Sequence, residues 1–345
     1  MNLGSPDSTE VKDVRRYLTE FLMDPRVIDY NWLGRTLLVR GIIVPFRAPK
    51  SAEAYKSVWT EQGSPLIVLT EQLRDALQKN IEDEVVIAMR YGNPSPAEAY
   101  DLLMKRVPDL EEVILVPLYP HYAMSSYETA VVYAEEVHRK KKYPFKLSVI
   151  RPFYDDPLYQ ETLAESMRPY LDQDYDHVLF SYHGVPERHI RKSDITGTHC
   201  LQGEGCCDRS SAAHRRCYRH QCFVTTKDTA RRLGIPEGKY STSFQSRLGR
   251  DEWLKPYTAM RLQELAEQGV KKLVVVCPAF ISDCLETLEE IAVEGREIFQ
   301  HAGGESFQLI PCLNVNPLWV NTLATWLGEI NGGNTGLLLQ EPLSV

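Results

Sequence analysis

The stretch DHVLFSYHG, Asp176 to Gly184, is apolar from Val178 to Phe180 and turns polar at its carboxyl end. A short run of this kind, rich in β-branched and aromatic residues and closed by glycine, reads as a buried strand. Similar runs are EVVIAMRYG (84–92), EEVILVPLYP (111–120), FKLSVIRPF (145–153), GKYSTSFQS (238–246), KKLVVVCPAF (271–280) and FQLIPCLN (307–314). Longer helical patterns separate them, such as SPAEAYDLLMKRV, with acids near its start and bases near its end as a helix dipole prefers. Near-continuous apolar strands alternating with helices predict an α/β chain with parallel sheets covered on both faces. The spacing predicts two such units in series, changing near residue 145.

Each run is greasy at its start and ends in polar or unusual residues: RYGNP, PLYPHY, SYHGVP, FQSR and CPAFISD. Open parallel sheets bind ligands beyond the carboxyl ends of their strands, which is where this chain concentrates His, Tyr, Arg and Asp. Neither a Walker loop nor GxGxxG is present, so phosphate or dinucleotide binding has no support. Asn2 to Pro6 reads as the end of a strand whose body is missing, and the tail from Asn331 to Val345, with GGN and a proline, as a flexible end.

Composition narrows the class. The 345 residues allow a sizeable core, and 43% apolar with 25% charged residues is ordinary for a soluble protein. MNLGSPDSTEVKD reaches proline and aspartate before any apolar run, so a secretory leader is not expected, and a reducing cytoplasm is. The net charge of −8 argues against nucleic acid, and the basic run from His138 to Tyr143 reads as a solvated helix end. Leu33 to Phe46, LGRTLLVRGIIVPF, is too short to span a bilayer. It reads either as a buried helix and turn or as an exposed lip facing an apolar ligand or a membrane surface.

Two constellations carry chemistry. Ser282 or Asp283 caps a predicted helix on which Glu286, Glu290, Glu294 and Glu297 recur at helical spacing, a ladder of carboxylates beside the apolar Leu285, Leu288 and Ala292. Such a ladder is either a solvated acidic face or a row of hard oxygen ligands that passes a divalent cation along. His183 ends its strand before a turn made by Gly184 and Pro186. It is either a structural histidine or a proton acceptor and metal ligand whose ordinary pKa, about 6.5, suits neutral pH. His183 and Glu286 come from strand ends of one unit and can face each other.

HCLQGEGCCDRSSAAHRRCYRHQC, His199 to Cys222, holds five of the eight cysteines. The pattern Cys200-x5-Cys206-Cys207-x9-Cys217-x4-Cys222 lies between two predicted strands, so it reads as an insertion. It supplies thiolates enough for zinc or an iron–sulfur centre. It lacks the paired CxxC of a zinc ribbon. His199, His214 and His220 leave a mixed Cys/His zinc site open, and free thiols in a polar loop are the plain alternative.

SYHGVPER, FQSRLGRDEWLKPYT and CPAFISDCLETLEEI, with NLGSPDS at the front, resemble the ferrochelatase family, which inserts ferrous iron into a porphyrin to make haem. The resemblance runs from Asn2 to about Leu327. It implies two similar Rossmann-like domains with a porphyrin cleft between them: 1–144 with a lip at about 27–46, and 145–318 with a Cys-rich insertion at about 196–222. A C-terminal helix (319–330) and the tail (331–345) would follow. By the same resemblance His183 takes up pyrrole protons or handles the metal, Glu286 is its partner acid, and Glu290 and Glu294 continue an acidic metal line on a helix with a π-type distortion. Arg47 and Lys50 match a basic pair near the propionates; Tyr55, Ser64, Arg90, Tyr91 and Trp253 match positions around the macrocycle. Cys284 stands where some members have histidine. Some microbial members hold a [2Fe–2S] cluster on an internal cysteine-rich segment, which implies Cys200, Cys207, Cys217 and Cys222 as ligands, with Cys206 able to stand in for Cys207.

The implied substrates are ferrous iron and protoporphyrin IX, the product protohaem. The alternatives are a chelatase for coproporphyrin III or another tetrapyrrole or metal, and a non-catalytic haem or iron carrier. A carrier of finished haem needs no metal route, so the acidic ladder speaks against it. The implied location is the cytoplasm, with the lip touching the inner face of the membrane. Oligomeric state is open.

Overall fold

The computed structural model describes every residue except Leu248, Arg250, Pro342, Ser344 and Val345. The chain forms two compact units: Met1–Leu118 with Met124–Arg151 and Leu323–Val345, and Tyr119–Ala123 with Pro152–Thr322. The change expected near residue 145 thus falls between Arg151 and Pro152. The C-terminal helix, Pro317–Asn331, is divided between the two units.

In the first unit, β1 (Glu112–Leu115) pairs in parallel with β2 (Lys146–Val149). Residues 1–3 lie between two further extended segments. Asn2 takes the Ala88 carbonyl and gives its own to Arg90, while Met1 bonds to Val116 and Leu118. Burial lowers the Met1 ammonium pKa to about 5. Gly4 follows at φ +107°, where a Cβ would stand 1.8 Å from the Tyr91 carbonyl, so only glycine fits. Within the expected flexible tail, Leu337 is buried, and Leu337 and Leu339 exchange backbone hydrogen bonds with Arg151 and Val149 at the end of β2. Pairing and burial thus order that stretch, while Pro342, Ser344 and Val345 lie outside the described residues. The helix Pro96–Arg106 starts as its sequence suggests. Ser95 and Glu98 close a capping box, and Lys105 and Arg106 occupy the last turn.

The second unit is built on a parallel sheet ordered β4-β3-β5-β6, with β3 His177–His183, β4 Tyr240–Gln245, β5 Lys272–Val276 and β6 Ser306–Leu309. Alternate residues serve opposite faces. Leu179, Leu273, Val275 and Cys277 pack with Leu262, Leu265, Ile291 and Phe299 from helical segments on one face. Tyr182 faces the other way, where its hydroxyl meets Thr226 of the helix Tyr218–Arg232 at 2.9 Å. Both faces are covered, the reason β3 reads as a nearly unbroken apolar run. Each fully buried aliphatic or aromatic side chain here contributes about 1.5–3 kcal/mol over an exposed one.

Replacing the cap, Ser95→Ala, removes one oxygen of the reciprocal pair and is expected to cost about 1 kcal/mol. Urea unfolding checks it through a lower midpoint at unchanged slope.

Candidate active site

The β3–β4 pairing sets His183 opposite Gln245, so the last residues of two neighbouring strands form one row. His183 Nδ1 lies 2.6 Å from the Gly184 carbonyl. A carbonyl only accepts, so Nδ1 carries a proton, and in the neutral form of the ring it is Nε2 that offers a lone pair. Gly184 donates its N–H to the Gln245 carbonyl at 2.8 Å, and a Cβ there would stand 2.7 Å from that same oxygen. The turn glycine after His183 is therefore required by close backbone approach.

Beyond β5, residues Glu286–Gly295 wind as a π-helix that passes into an α-helix at Arg296. The Gln245 side chain holds its first turn, donating to the Glu286 carbonyl at 3.0 Å while accepting from Ser181. Ser246 adopts φ +64°, a left-handed conformation uncommon for serine, and its N–H reaches Glu290 Oε1 at 2.7 Å while its hydroxyl bonds Oε2. Burial raises the Glu290 pKa; the Ser246 hydrogen bond and the His183 charge pull it down, and the Glu286 charge pushes it up. His183, Glu286 and Glu290 thus act on one another electrostatically. Glu286 and Glu290 are half-buried and Glu294 is exposed. The Cys284 thiol is buried, which raises its pKa well above the usual value, and the Glu286 charge adds to that. Trp253 is 9% exposed, pairs by backbone with Pro186, and leaves its indole N–H without a partner among the described residues.

The comparisons with known proteins decide the family. The family model described as Ferrochelatase matches residues 1–329. The chain belongs to the ferrochelatase family. It is similar to the ferrochelatase of Pseudomonas fluorescens (strain Pf0-1), 51% identical over 327 residues covering 94% of this chain and 95% of the relative. To that of Pseudomonas entomophila it is 51% identical over 326 residues, 94% and 96% of the two chains. Among solved structures, SirB from Bacillus subtilis with Fe3+ superposes with a TM-score of 0.50 at 15% identity, covering 78% of this chain and 92% of that one. That likeness is one of fold and agrees with helix-flanked parallel sheets of the chelatase type.

In the first unit, Arg47 and Lys50 are exposed on the helix Val44–Val58 and make no ion pair among the described residues. Tyr55, on the same helix, is buried edge-on to Tyr17 and Trp59. Ser64 is buried just before the helix Pro65–Gln78. Arg90 is ion-paired to Asp24 and held between the rings of Tyr91 and Tyr133, 4.2 and 4.3 Å from their centroids. Tyr91 is wholly buried and donates to Asp24 at 2.9 Å, so its hydroxyl serves the ion pair rather than the surface. Burial works to raise the Asp24 pKa, but hydrogen bonds from Thr129, Arg26 and Tyr91 and the Arg90 charge hold it below the usual value. The segment from Leu33 to Phe46 does both: Leu33 is 62%, Leu37 64% and Phe46 80% accessible, while Val39 and Val44 are buried. Arg35 turns inward instead, donating to the carbonyls of Ile28 and Tyr30.

The cysteine-rich insertion starts at Asp194, whose carboxylate accepts the N–H groups of Thr196, His199 and Cys200. All five thiols are free and buried. Cys200, Cys206 and Cys207 neighbour Cys217 closely enough to influence one another's titration. Arg219 lies 3.8 Å from the Cys206 sulfur. Burial pushes the Cys200 thiol up to about 11. His199 Nε2 and His220 Nδ1 sit 2.7 and 2.9 Å from the carbonyls of Cys206 and Cys207, and the His214 and His220 rings stack at 3.5 Å. These ring nitrogens face backbone carbonyls. Among the described residues no three His, Cys, Asp or Glu side chains already converge on one metal position. The donor set nonetheless suits a sulfur-bound iron group. The thiols neighbour one another, and the Arg219 charge and the start of the helix Tyr218–Arg232 at Cys217 offset thiolate charge.

Sequence reasoning passed over Gln245, Ser246 and Tyr218. The first two sit in FQSR, at a strand end already marked as polar; nothing local signals Tyr218, which reaches across the fold to the His183 carbonyl at 2.8 Å. The raised Glu290 pKa means the fold favours its protonated form. Its stabilising contribution is therefore complete below the ordinary value of 4.5 and is lost as pH rises through the folded value. Ser246→Ala removes a donor to the carboxylate and should raise the Glu290 pKa further, read by carboxyl NMR titration; an unchanged or lower value contradicts the clamp.

Proposed function

We propose that this ferrochelatase-family chain inserts ferrous iron into protoporphyrin IX to form protohaem, with His183 and Glu286 as the catalytic pair. The observation that carries this reading is the row at the end of one sheet, where His183 lies opposite Gln245 and the Gln245 side chain donates to the Glu286 carbonyl at 3.0 Å. Metallation exchanges two pyrrole N–H protons for one Fe2+ inside a flat ring, so the site needs a base, a carboxylate and a way in for the cation. The Nε2 lone pair of His183 accepts a pyrrole proton while Nδ1–H stays on the Gly184 carbonyl. Glu294, Glu290 and Glu286 hand the cation inward, each presenting hard oxygen ligands suited to Fe2+. A ring bound in bent form exposes its nitrogen lone pairs, which lowers the barrier. The exposed Arg47 and Lys50 suit the propionates, with Tyr55, Ser64, Arg90, Tyr91 and Trp253 shaping the surroundings of the macrocycle.

Cys200, Cys207, Cys217 and Cys222, with Cys206 as the alternative to Cys207, are proposed to hold a [2Fe–2S] cluster. When bound, it would supply one-electron redox chemistry and a cross-link between the insertion and its helix. Among the described residues no helix is long and apolar enough to cross a membrane. The exposed Trp32, Leu37 and Phe46 fit peripheral contact with the cytoplasmic face of a bilayer.

His183→Ala is expected to lower the rate of haem formation from ferrous iron and protoporphyrin at least about 100-fold while porphyrin still binds, the usual scale for a lost general base. Anaerobic conversion of porphyrin fluorescence into a haem spectrum measures it, and near-normal turnover ends the assignment. Protein purified without oxygen should show visible charge-transfer bands from the thiol site. A colourless protein holding zinc contradicts the cluster.

A further inference from the structure

Three histidines of the cysteine-rich insertion, His199, His214 and His220, gather around the short turn Cys206–Asp208. His199 and His214 bring their Nε2 atoms within 3.3 Å of each other. Both also face the Cys206 carbonyl, at 2.7 and 3.4 Å. Gly205, at φ +68°, leads the chain into the turn whose first carbonyl meets both rings. The rings are held from behind. His220 rests its Nδ1 on the Cys207 carbonyl at 2.9 Å and stacks on His214 at 3.5 Å, with 10° between the planes. His199 is anchored by its backbone N–H, which donates to Asp194 at 2.8 Å. All three histidines are half-buried, so solvent still reaches the cluster.

Hydrogen bonding alone does not account for this triangle. A carbonyl only accepts, so His199 Nε2 must donate to Cys206, and a neutral imidazole has one N–H to give. His214 Nε2 is then either a second donor crowding the same oxygen or an acceptor of a proton already directed elsewhere. A direct N–H···N bond is best when straight. Rings in line with their nitrogens at 3.3 Å would set their centroids further apart than the 5.1 Å found here. The two rings instead converge through their Nε2 corners, at 70° to each other. A tetrahedral Zn2+ with bonds of about 2.0–2.1 Å holds two imidazole nitrogens about 3.3–3.4 Å apart, in the same bent arrangement. The triangle of two nitrogens and one oxygen is small enough for one such ion to reach every corner. Water can fill the fourth position.

We propose that His199 Nε2, His214 Nε2 and the Cys206 carbonyl form a site for a borderline divalent transition cation such as Zn2+, which clips the two arms of the insertion together. Imidazole nitrogens suit such an ion, whereas Mg2+ and Ca2+ take oxygen ligands. The site uses two side chains and one backbone oxygen, needs no thiol, and stands apart from the cluster and the catalytic pair. Titration of histidine-labelled protein with Zn2+ at neutral pH tests it. The ring-nitrogen resonances of His199 and His214, assigned with His199→Phe and His214→Phe, should move together as the ion binds. Each substitution keeps a ring in place and removes its nitrogens. Each should therefore weaken Zn2+ binding at the surviving imidazole at least about 10-fold. Cys206→Ala should leave both responses as in wild-type, because only the backbone of that residue takes part. Rings that ignore Zn2+ overturn the site, as do rings that answer equally to Mg2+. Zinc held by neighbouring thiols alone would move His199 in His214→Phe at the wild-type concentration, and that result also overturns it. Loss of both responses in Cys206→Ala assigns the third ligand to sulfur and ends the proposal.

Discussion

The parallel pairing of β3 with β4 is the constraint on which the site depends. It places His183 beside Gln245, and a one-residue slip would turn both side chains to the opposite faces of the sheet. Because β3 is central, its register is held from both sides, by Tyr240–Gln245 on one edge and Lys272–Val276 on the other. From this row the groups radiate. Gln245 steadies the first turn of the π-helix through the Glu286 carbonyl, and Ser246 clamps Glu290. The strain of a serine at φ +64° is tolerable because two hydrogen bonds to a half-buried carboxylate offset it.

A π-helix at the acidic ladder has a physical consequence. Its i→i+5 bonds widen the turn and weaken the backbone relative to an α-helix, and such segments favour functional sites. Glu286, Glu290 and Glu294 lie on or beside this looser stretch, while Arg296–His301 and the buried Phe299 tie its far end to the core. Like charges placed on one strip repel at a small cost. Burial is the main cause of the raised Glu290 pKa, and the neighbouring Glu286 charge adds to it.

Much of this was legible in the chain itself. The β3 run, the glycine after His183 and the acids from Glu286 onward each leave a local trace, because strand and helix periodicity translate directly into which residues are buried. The family motifs then tied His183 to Glu286. The positive φ of Ser246 left none, since serine seldom adopts it and the cause lies 44 residues away in Glu290. Tyr91 and Arg90 carried the motif but not their environment. A buried Asp24, distant in sequence, claims both. The lip could not be decided from hydropathy, because an apolar helix of that length buries or exposes its face according to its neighbours.

The position of the insertion follows from the same geometry. A cysteine-rich loop attached to a peripheral helix would have no route to the chemistry. Here it leads straight into the helix that covers β3, so the insertion and His183 share a wall of buried tyrosines: Tyr159, Tyr182 and Tyr218 all lie within electrostatic reach of Cys222. In so dry a setting a new charge on sulfur is expensive unless a donor turns towards it. The hydroxyl of Tyr218 is such a donor, and it is already bonded to the backbone of His183.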